Sequence, residues 1–309
     1  MLNSNDGIVS FKDMFAMLWR TKWFILIFTS IVAVSTVFYA LSLPNQYRAS
    51  SLYLPKSADD KGALSKLAGQ FGGLAGMAGI SLGGSGGDKT AAALKFLKSR
   101  AFLQSFIERH DLLVPLMAAQ NWDPETKELI LNPEIYDAES QSWVRSAPRG
   151  FKATPSSWEA YTVLDKLISI NEESKKGFVT IEVQYYSPQL AAKWLSLLVQ
   201  DLNAFWKQRE HEQSQKNIDF LTLRAEQVQV SELRTVFYQL IAEQVKSSAL
   251  SEVSDEVLFE TMAPVVIPEE KSAPSRGLLC IVGTFIGGLL AMILSFLYCS
   301  VRPLPKLRD

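Results

Sequence analysis

Two long stretches without a charged side chain interrupt an otherwise mixed pattern of polar and apolar residues, one near each end of the chain. The first covers residues 23–47 and the second covers residues 277–301. A helix needs about 20 apolar residues to cross the roughly 30 Å hydrocarbon core of a bilayer, and a charge at mid-bilayer is costly. The pattern therefore predicts two transmembrane helices, at residues 23–43 and 277–301.

Basic residues flank both predicted spans on their outer sides: Lys12, Arg20 and Lys22 before the first, and Arg302, Lys306 and Arg308 after the second. Short cytoplasmic segments carry an excess of Lys and Arg. Segments 1–22 and 302–309 are therefore expected in the cytoplasm, and segment 44–276 on the opposite side of the membrane. The last segment has no room for a cytoplasmic catalytic domain. A cleaved signal peptide is the alternative for the first stretch, although its apolar run is long for one.

Between the spans, alternating patterns predict a small mixed sheet with helices. Residues 46–54, 167–171 and 178–186 alternate as strands, and residues 174–177 suit a hairpin turn between the last two. Ser156 and Glu159 form a capping box at the start of a short helix. Another helix is predicted from Thr90, after a glycine-rich loop at 69–87. Residues 115–155, which are rich in proline, are expected to be loop.

The longest stretch without glycine or proline, residues 189–263, predicts a long helix that starts after Ser187 and Pro188. Apolar residues line one face as far as Phe205, and a second face begins at Leu233. Residues 207–217 are polar all round, which is typical of a helix that projects into solvent. We expect a helical region of about 188–253 with a break or two. The alternative is two ordinary helices joined by a loop at 207–217.

Three sets of residues are candidates for structural or interaction sites. Small residues at every fourth position of the second span predict a groove for another helix, with chance as the alternative. Prolines punctuate the return to the membrane, and the polar run is either a subunit or lumen surface or a solvated face. The three sets are Gly283, Gly287, Ala291 and Ser295; Pro264, Pro268 and Pro274; and Lys207, Arg209, Glu210, Glu212 and Lys216.

Composition excludes several kinds of chemistry. The net charge of -1 provides no basic footprint for nucleic acid, and both cysteines lie in the second span. No metal-ligand spacing is present, so no cofactor is expected. Residues 83–87 match G-x-S-x-G, but they lie in a glycine run without the strand, helix and late histidine that a hydrolase needs. At 86–90, Asp88 stands where a phosphate-binding loop needs glycine. We therefore predict a protein that is not an enzyme.

Five tryptophans of the middle segment have two interpretations. Indole rings could stack on sugar rings, but aromatic side chains more often pack in cores or interfaces, and packing is favoured. These tryptophans are at positions 122, 143, 158, 194 and 206.

Five strings stand out by their order and spacing along the chain: LWRTKWFILIF (18–28), LKSRAFLQSFIERHDLL (97–113), SPQLAAKWLSLLVQDLN (187–203), VSELRTVFYQLIAEQVK (230–246) and VVIPEEKSAPSR (265–276). Together they resemble the chain-length determinant (Wzz-type) family of polysaccharide co-polymerases, found in Gram-negative inner membranes. One departure is Ala273, where family members often have serine. The chain lacks the phosphate-binding loop of relatives that carry a tyrosine kinase, so it is similar to the kinase-free branch.

The resemblance implies an α+β membrane protein, in which two transmembrane helices flank a periplasmic α/β base domain with a long protruding helix. It also implies a homo-oligomer ring that acts beside the O-antigen polymerase on lipid-linked polysaccharide. Such a ring would regulate the modal chain length of lipopolysaccharide O-antigen or a related surface polysaccharide. The alternative is a membrane adaptor subunit of a capsule or exopolysaccharide export machine.

Overall fold

The computed structural model describes residues 19, 21–56, 86–147, 150–173 and 177–301. They belong to two compact units: a helical unit, Met1–Gln46 with Lys271–Asp309, and a central unit, Tyr47–Glu270. Most of the predicted glycine-rich loop, the G-x-S-x-G serine and most of the predicted hairpin turn lie outside the described residues. So do the basic residues Lys12, Arg20, Arg302, Lys306 and Arg308.

The described residues form eight helices and nine strands. In chain order these are α1 (Lys22–Ser42), β1 (Gln46–Pro55), α2 (Gly86–Leu97), α3 (Arg100–Arg109), α4 (Leu113–Ala118), β2 (Ala119–Trp122), β3 (Leu129–Leu131), β4 (Tyr136–Asp137), β5 (Ser142–Trp143), α5 (Ser157–Leu167), β6 (Ile168–Glu173), β7 (Phe178–Tyr185), α6 (Pro188–Gln227), α7 (Ser231–Val253), β8 (Phe259–Ala263), β9 (Lys271–Ala273) and α8 (Arg276–Val301).

In the helical unit, α1 and α8 are long and apolar enough to cross a membrane. In the most apolar 18-residue segment of each helix, only 6% is buried in α1 and 11% in α8. A core helix of a soluble protein would be mostly buried, so this exposure favours two membrane spans. A mixed helix and sheet chain with an apolar helix near each end is thus confirmed.

The sheet of the central unit places four strands in the order β6-β7-β1-β8. All three pairings are antiparallel, with Ser51 opposite Ile181 between β1 and β7, and Ile170 opposite Ile181 between β6 and β7. One face of β7 is buried, as its alternation predicts, through Val179, Ile181, Val183 and Tyr185. The first half of α6 packs on this face, where the rings of Trp194 and Tyr185 lie 4.3 Å apart.

Two predictions for the first half of the central unit are wrong. The helix expected from Thr90 is two helices, because Ser99 ends the first and accepts a hydrogen bond from the Phe102 N–H to cap α3. The region 115–155 is not only loop, since it contains most of α4 and the short strands β2–β5. Its turns are closed by Asp and Asn side chains that accept backbone N–H groups two residues on, for example Asp123 from Glu125.

The alternative of a loop at 207–217 is also wrong, because α6 continues through this run to Gln227. At about 1.5 Å per residue, this helix is roughly 60 Å long. The break falls at residues 228–230, where the Arg234 guanidinium donates to the Val228 carbonyl at 2.8 Å. The helix α7 then returns antiparallel along the second half of α6.

Candidate functional site

The helical unit is held together by the small-residue face of α8. A Cβ atom added to Gly283 would lie 2.6 Å from Thr36 Oγ1, and one added to Gly287 would lie 2.8 Å from Val32 Cγ1. No side chain larger than hydrogen fits at either position unless α1 moves. Ala291 and Ser295 continue this face and are buried. The two helices therefore meet at close backbone distance, as small residues four apart allow.

Polar contacts hold the two ends of this helix pair. The hydroxyl groups of Thr21 and Ser295 are hydrogen-bonded at 2.5 Å. At the other end, the Arg276 guanidinium donates to the Leu43 carbonyl at 3.2 Å and to Asn45 Oδ1 at 3.0 Å. The start of α1 thus lies beside the end of α8, and the end of α1 beside the start of α8, so the two helices are antiparallel.

The three prolines of the return segment occupy different surroundings. Pro264 directly follows β8 and is exposed, and Pro268 is half-buried. Pro274 follows β9 through a cis peptide bond with Ala273. None of them interrupts a strand or a helix, which agrees with the absence of an N–H donor in proline.

The polar residues of the run 207–217 do not form one patch. Lys207 pairs with Asp255 at 3.2 Å, and Glu210 pairs with Lys89 at 3.4 Å. The Arg209 guanidinium lies 5.8 Å from the ring centre of Trp206. Glu212 accepts a hydrogen bond from Gln208, and Lys216 is exposed. Four of the five candidates thus contact other residues of the chain, two of them through ion pairs.

The second helix of the hairpin leaves apolar side chains uncovered. No residue of α7 is buried, and its contact with α6 includes a hydrogen bond from Gln244 to Ser214 Oγ at 2.9 Å. On its outer side, Tyr238, Ala242, Val245 and Ala249 are all exposed. Their spacing of four, three and four residues is that of an apolar seam between helices.

Several residues that hold the central unit together escaped the sequence analysis. Asn203 is buried on α6; its Oδ1 accepts the N–H groups of Leu258 and Phe259 at 3.0 and 3.1 Å, and its amide donates to the Phe259 carbonyl. Its position next to Leu202, on an apolar face, was the signal that a partner was needed. Asp201 is shared by Arg109 at 2.7 Å and His110 at 3.0 Å.

The capping box at α5 is confirmed, and the structure adds a cation to it. Ser156 Oγ accepts the Glu159 N–H, while Glu159 accepts the Ser156 N–H. The Arg145 guanidinium donates to both Glu159 oxygens, at 2.9 and 3.0 Å. These Arg145 hydrogen bonds, followed by the Ser156 N–H, lower the pKa of Glu159 to about 2.

The tryptophans separate into buried and exposed groups. Trp194 and Trp206 are core residues, Trp122 packs against Tyr47, and Trp143 packs against Tyr136. Trp158 is 51% exposed. All five contact other rings or the core, and Trp158 is the most exposed of them.

The two histidines of the chain each lie beside one carboxylate. His110 pairs with Asp201, and His211 lies 4.0 Å from Glu252 on the hairpin. The described residues contain no group of three or more His, Cys, Asp or Glu side chains suited to a metal ion.

Comparison with known proteins gives one informative match. The family model of the Wzz chain length determinant protein matches residues 8–110 of the 309. Over that range, the chain is similar to the Wzz family. The predicted resemblance is therefore confirmed there. The matched range spans α1, β1, α2 and α3, which contribute to both units.

A solved structure described as a full-length bacterial polysaccharide co-polymerase also aligns with the chain. The alignment covers 97% of this chain and 100% of that one, with 10% sequence identity and a TM-score of 0.37. This similarity is too low to establish a shared fold. No curated protein sequence matches the chain.

Proposed function

We propose that the protein is an inner-membrane scaffold that regulates the modal chain length of a surface polysaccharide, lipopolysaccharide O-antigen or a related polymer. The observation that carries this proposal is the Wzz family match over residues 8–110. The scaffold performs no chemistry of its own. It acts as a homo-oligomer beside the polymerase that extends the lipid-linked polysaccharide.

The placement in the membrane is supported by the two apolar helices and by the charges that flank them. Both spans have exposed apolar surfaces suited to lipid. The basic residues before α1 and after α8 favour cytoplasmic termini. The central unit is then periplasmic, in a Gram-negative cell envelope.

Self-association is supported by the outer side of α7. A two-helix hairpin with exposed Tyr238 and Val245 covers only part of its apolar surface, and association with further helices would bury the rest. We therefore propose that these hairpins pack against one another in a ring. The small-residue face of α8 already contacts α1, so the polymerase would contact other faces of the spans.

The test is a gel profile of surface polysaccharide from the host, with the gene deleted and then restored. We expect the banded modal distribution to collapse to short or random lengths on deletion, and to return on complementation. Loss of surface polysaccharide with unchanged intracellular polymer would instead identify an export adaptor, and would contradict the proposal.

A further inference from the structure

One tryptophan of the central unit lies on the surface while the others are packed. Trp158 is 51% exposed, compared with 1% for Trp194 and 8% for Trp206. It is the second residue of α5, directly before the capping glutamate. Its exposed indole ring offers apolar surface with a polar N–H edge to a ligand, as aromatic side chains at interfaces do.

Neighbouring side chains hold this ring in a defined setting. The Arg100 guanidinium carbon lies 4.7 Å from the ring centre of Trp158, and the Tyr161 ring lies 5.8 Å from it. Arg100 Nε donates to Gln104 Oε1 at 3.2 Å, and Gln104 Nε2 donates to Ser157 Oγ at 3.2 Å. This chain of hydrogen bonds joins α3 to α5 and fixes the cation against the indole.

The charge at this surface is not neutralised from within the described chain. Arg100 is the first residue of α3, at the positive end of the helix dipole, and the first turn of α3 has no acidic residue. Among the described residues, no carboxylate forms an ion pair with Arg100. A cation in this position favours a ligand that brings hydrogen-bond acceptors to the guanidinium N–H groups.

We propose that Trp158, Arg100, Gln104 and Tyr161 form a binding site for a sugar ring of the polysaccharide, an inference that rests on the proposed function. A sugar ring has an apolar C–H face that stacks on indole, and hydroxyl groups at its edge that guanidinium and amide groups bind. The next residues on the exposed side of α5 are Thr162 and Lys166. These two polar neighbours do not extend the apolar surface of Trp158 along α5.

The test measures binding of polysaccharide released from the host surface by mild acid to the full-length protein in detergent, with dextran as the unrelated glycan. Trp158→Ala should weaken binding about three- to tenfold, as expected for the loss of one aromatic contact. Trp158→Phe should retain most of the affinity because it keeps a ring. Trp143→Ala is the matched control, since Trp143 packs against Tyr136 within the chain.

Three results would overturn the site. The first is unchanged glycan binding in Trp158→Ala. The second is a change in the assembly size of this variant without a change in its glycan binding. The third is a loss of its binding to phospholipid vesicles while its glycan binding is unchanged. Gel profiles separate this site from the proposed function. If the wild-type gene restores modal length in the deletion strain and Trp158→Ala does so as well, with unchanged glycan binding, the function stands and the site is wrong. If the wild-type gene fails to restore it, the function is wrong.

Discussion

At the scale of single residues, buried polar groups decide how the last strand of the central unit is attached to the core. Asn203 Oδ1 accepts the N–H groups of Leu258 and Phe259, and the Asn203 amide group donates to the Phe259 carbonyl. The backbone around Leu258 and Phe259 is therefore satisfied by a side chain of α6. Removing that side chain leaves buried donors without this partner, which is more costly than losing an exposed hydrogen bond.

We predict that Asn203→Leu lowers the free energy of unfolding by about 2–4 kcal/mol, since two buried N–H groups lose their acceptor. Thermal or denaturant unfolding of the full chain in detergent would measure this change. Asn121→Leu is the control, because Asn121 is exposed on β2. Equal stability of the two variants would show that Asn203 does not support the attachment of β8.

Because folding lowers the pKa of the Glu159 carboxyl group, the stability of the protein should depend on pH. Its pKa is about 2 in the folded protein and 4.5 when unperturbed. Because the folded value is the lower one, its contribution to stability is fully present above pH 4.5 and is lost as the pH falls towards 2. Glu159→Gln should lower the unfolding temperature at neutral pH and remove the part of the decline below pH 4.5 that Glu159 causes.

Unfolding temperatures from pH 2 to 7 would check this prediction. Glu128→Gln, a change at an exposed carboxylate, is the control and should leave the profile unchanged. A wild-type-like decline in Glu159→Gln would mean that other carboxylates account for all of it.

At the scale of elements, the two helix pairs differ in how closely they pack. Helices α1 and α8 meet through glycine and small side chains, which let two apolar helices approach where lipid gives no hydrophobic drive. Helices α6 and α7 include polar contacts such as Gln244 with Ser214, bury no side chain of α7 fully, and leave apolar side chains exposed on α7. The small-residue face of α8 is thus already covered by α1 within one chain, whereas α7 has exposed apolar surface that further helices could cover.

We predict that Gly283→Leu and Gly287→Leu each weaken the α1–α8 contact by about 1–3 kcal/mol through overpacking, without loss of membrane insertion. A cysteine pair at positions 21 and 295, in a background without Cys280 and Cys299, would report the contact by disulfide cross-linking. Gly277→Leu is the matched control, because an added Cβ there has no neighbour within 4 Å. Wild-type cross-linking in both test variants would contradict the prediction.

At the scale of the whole molecule, the proposed ring depends on the outer side of α7. We predict that Tyr238→Glu with Val245→Glu dissociates the oligomer into smaller species and alters the polysaccharide length distribution, because charge would face the apolar seam. Light scattering of the detergent-purified protein would measure assembly size. Gln239→Glu adds a charge at an exposed polar position beside the seam and serves as control. An unchanged assembly size in the double variant would place the subunit contact elsewhere.

The sequence by itself determined the features that depend on local composition and period. The two apolar helices follow from uncharged stretches long enough for a bilayer, and the buried face of β7 follows from strict alternation. The cap at Ser156 and the start of α6 at Pro188 follow from short-range backbone chemistry. Each of these depends on residues close together in the chain.

Only the tertiary structure decided where distant residues meet. The run 207–217 has no apolar period, yet it is helical and has ion-pair partners from far along the chain: Asp255, which follows α7, and Lys89 on α2. Arg145 reaches Glu159 across an irregular segment, and Asn203 reaches Leu258 from another element. The exposure of Trp158, in contrast to Trp194, likewise depends on which side of each helix the core covers. Contacts between residues distant in the chain depend on how elements pack, which local propensity and period do not specify.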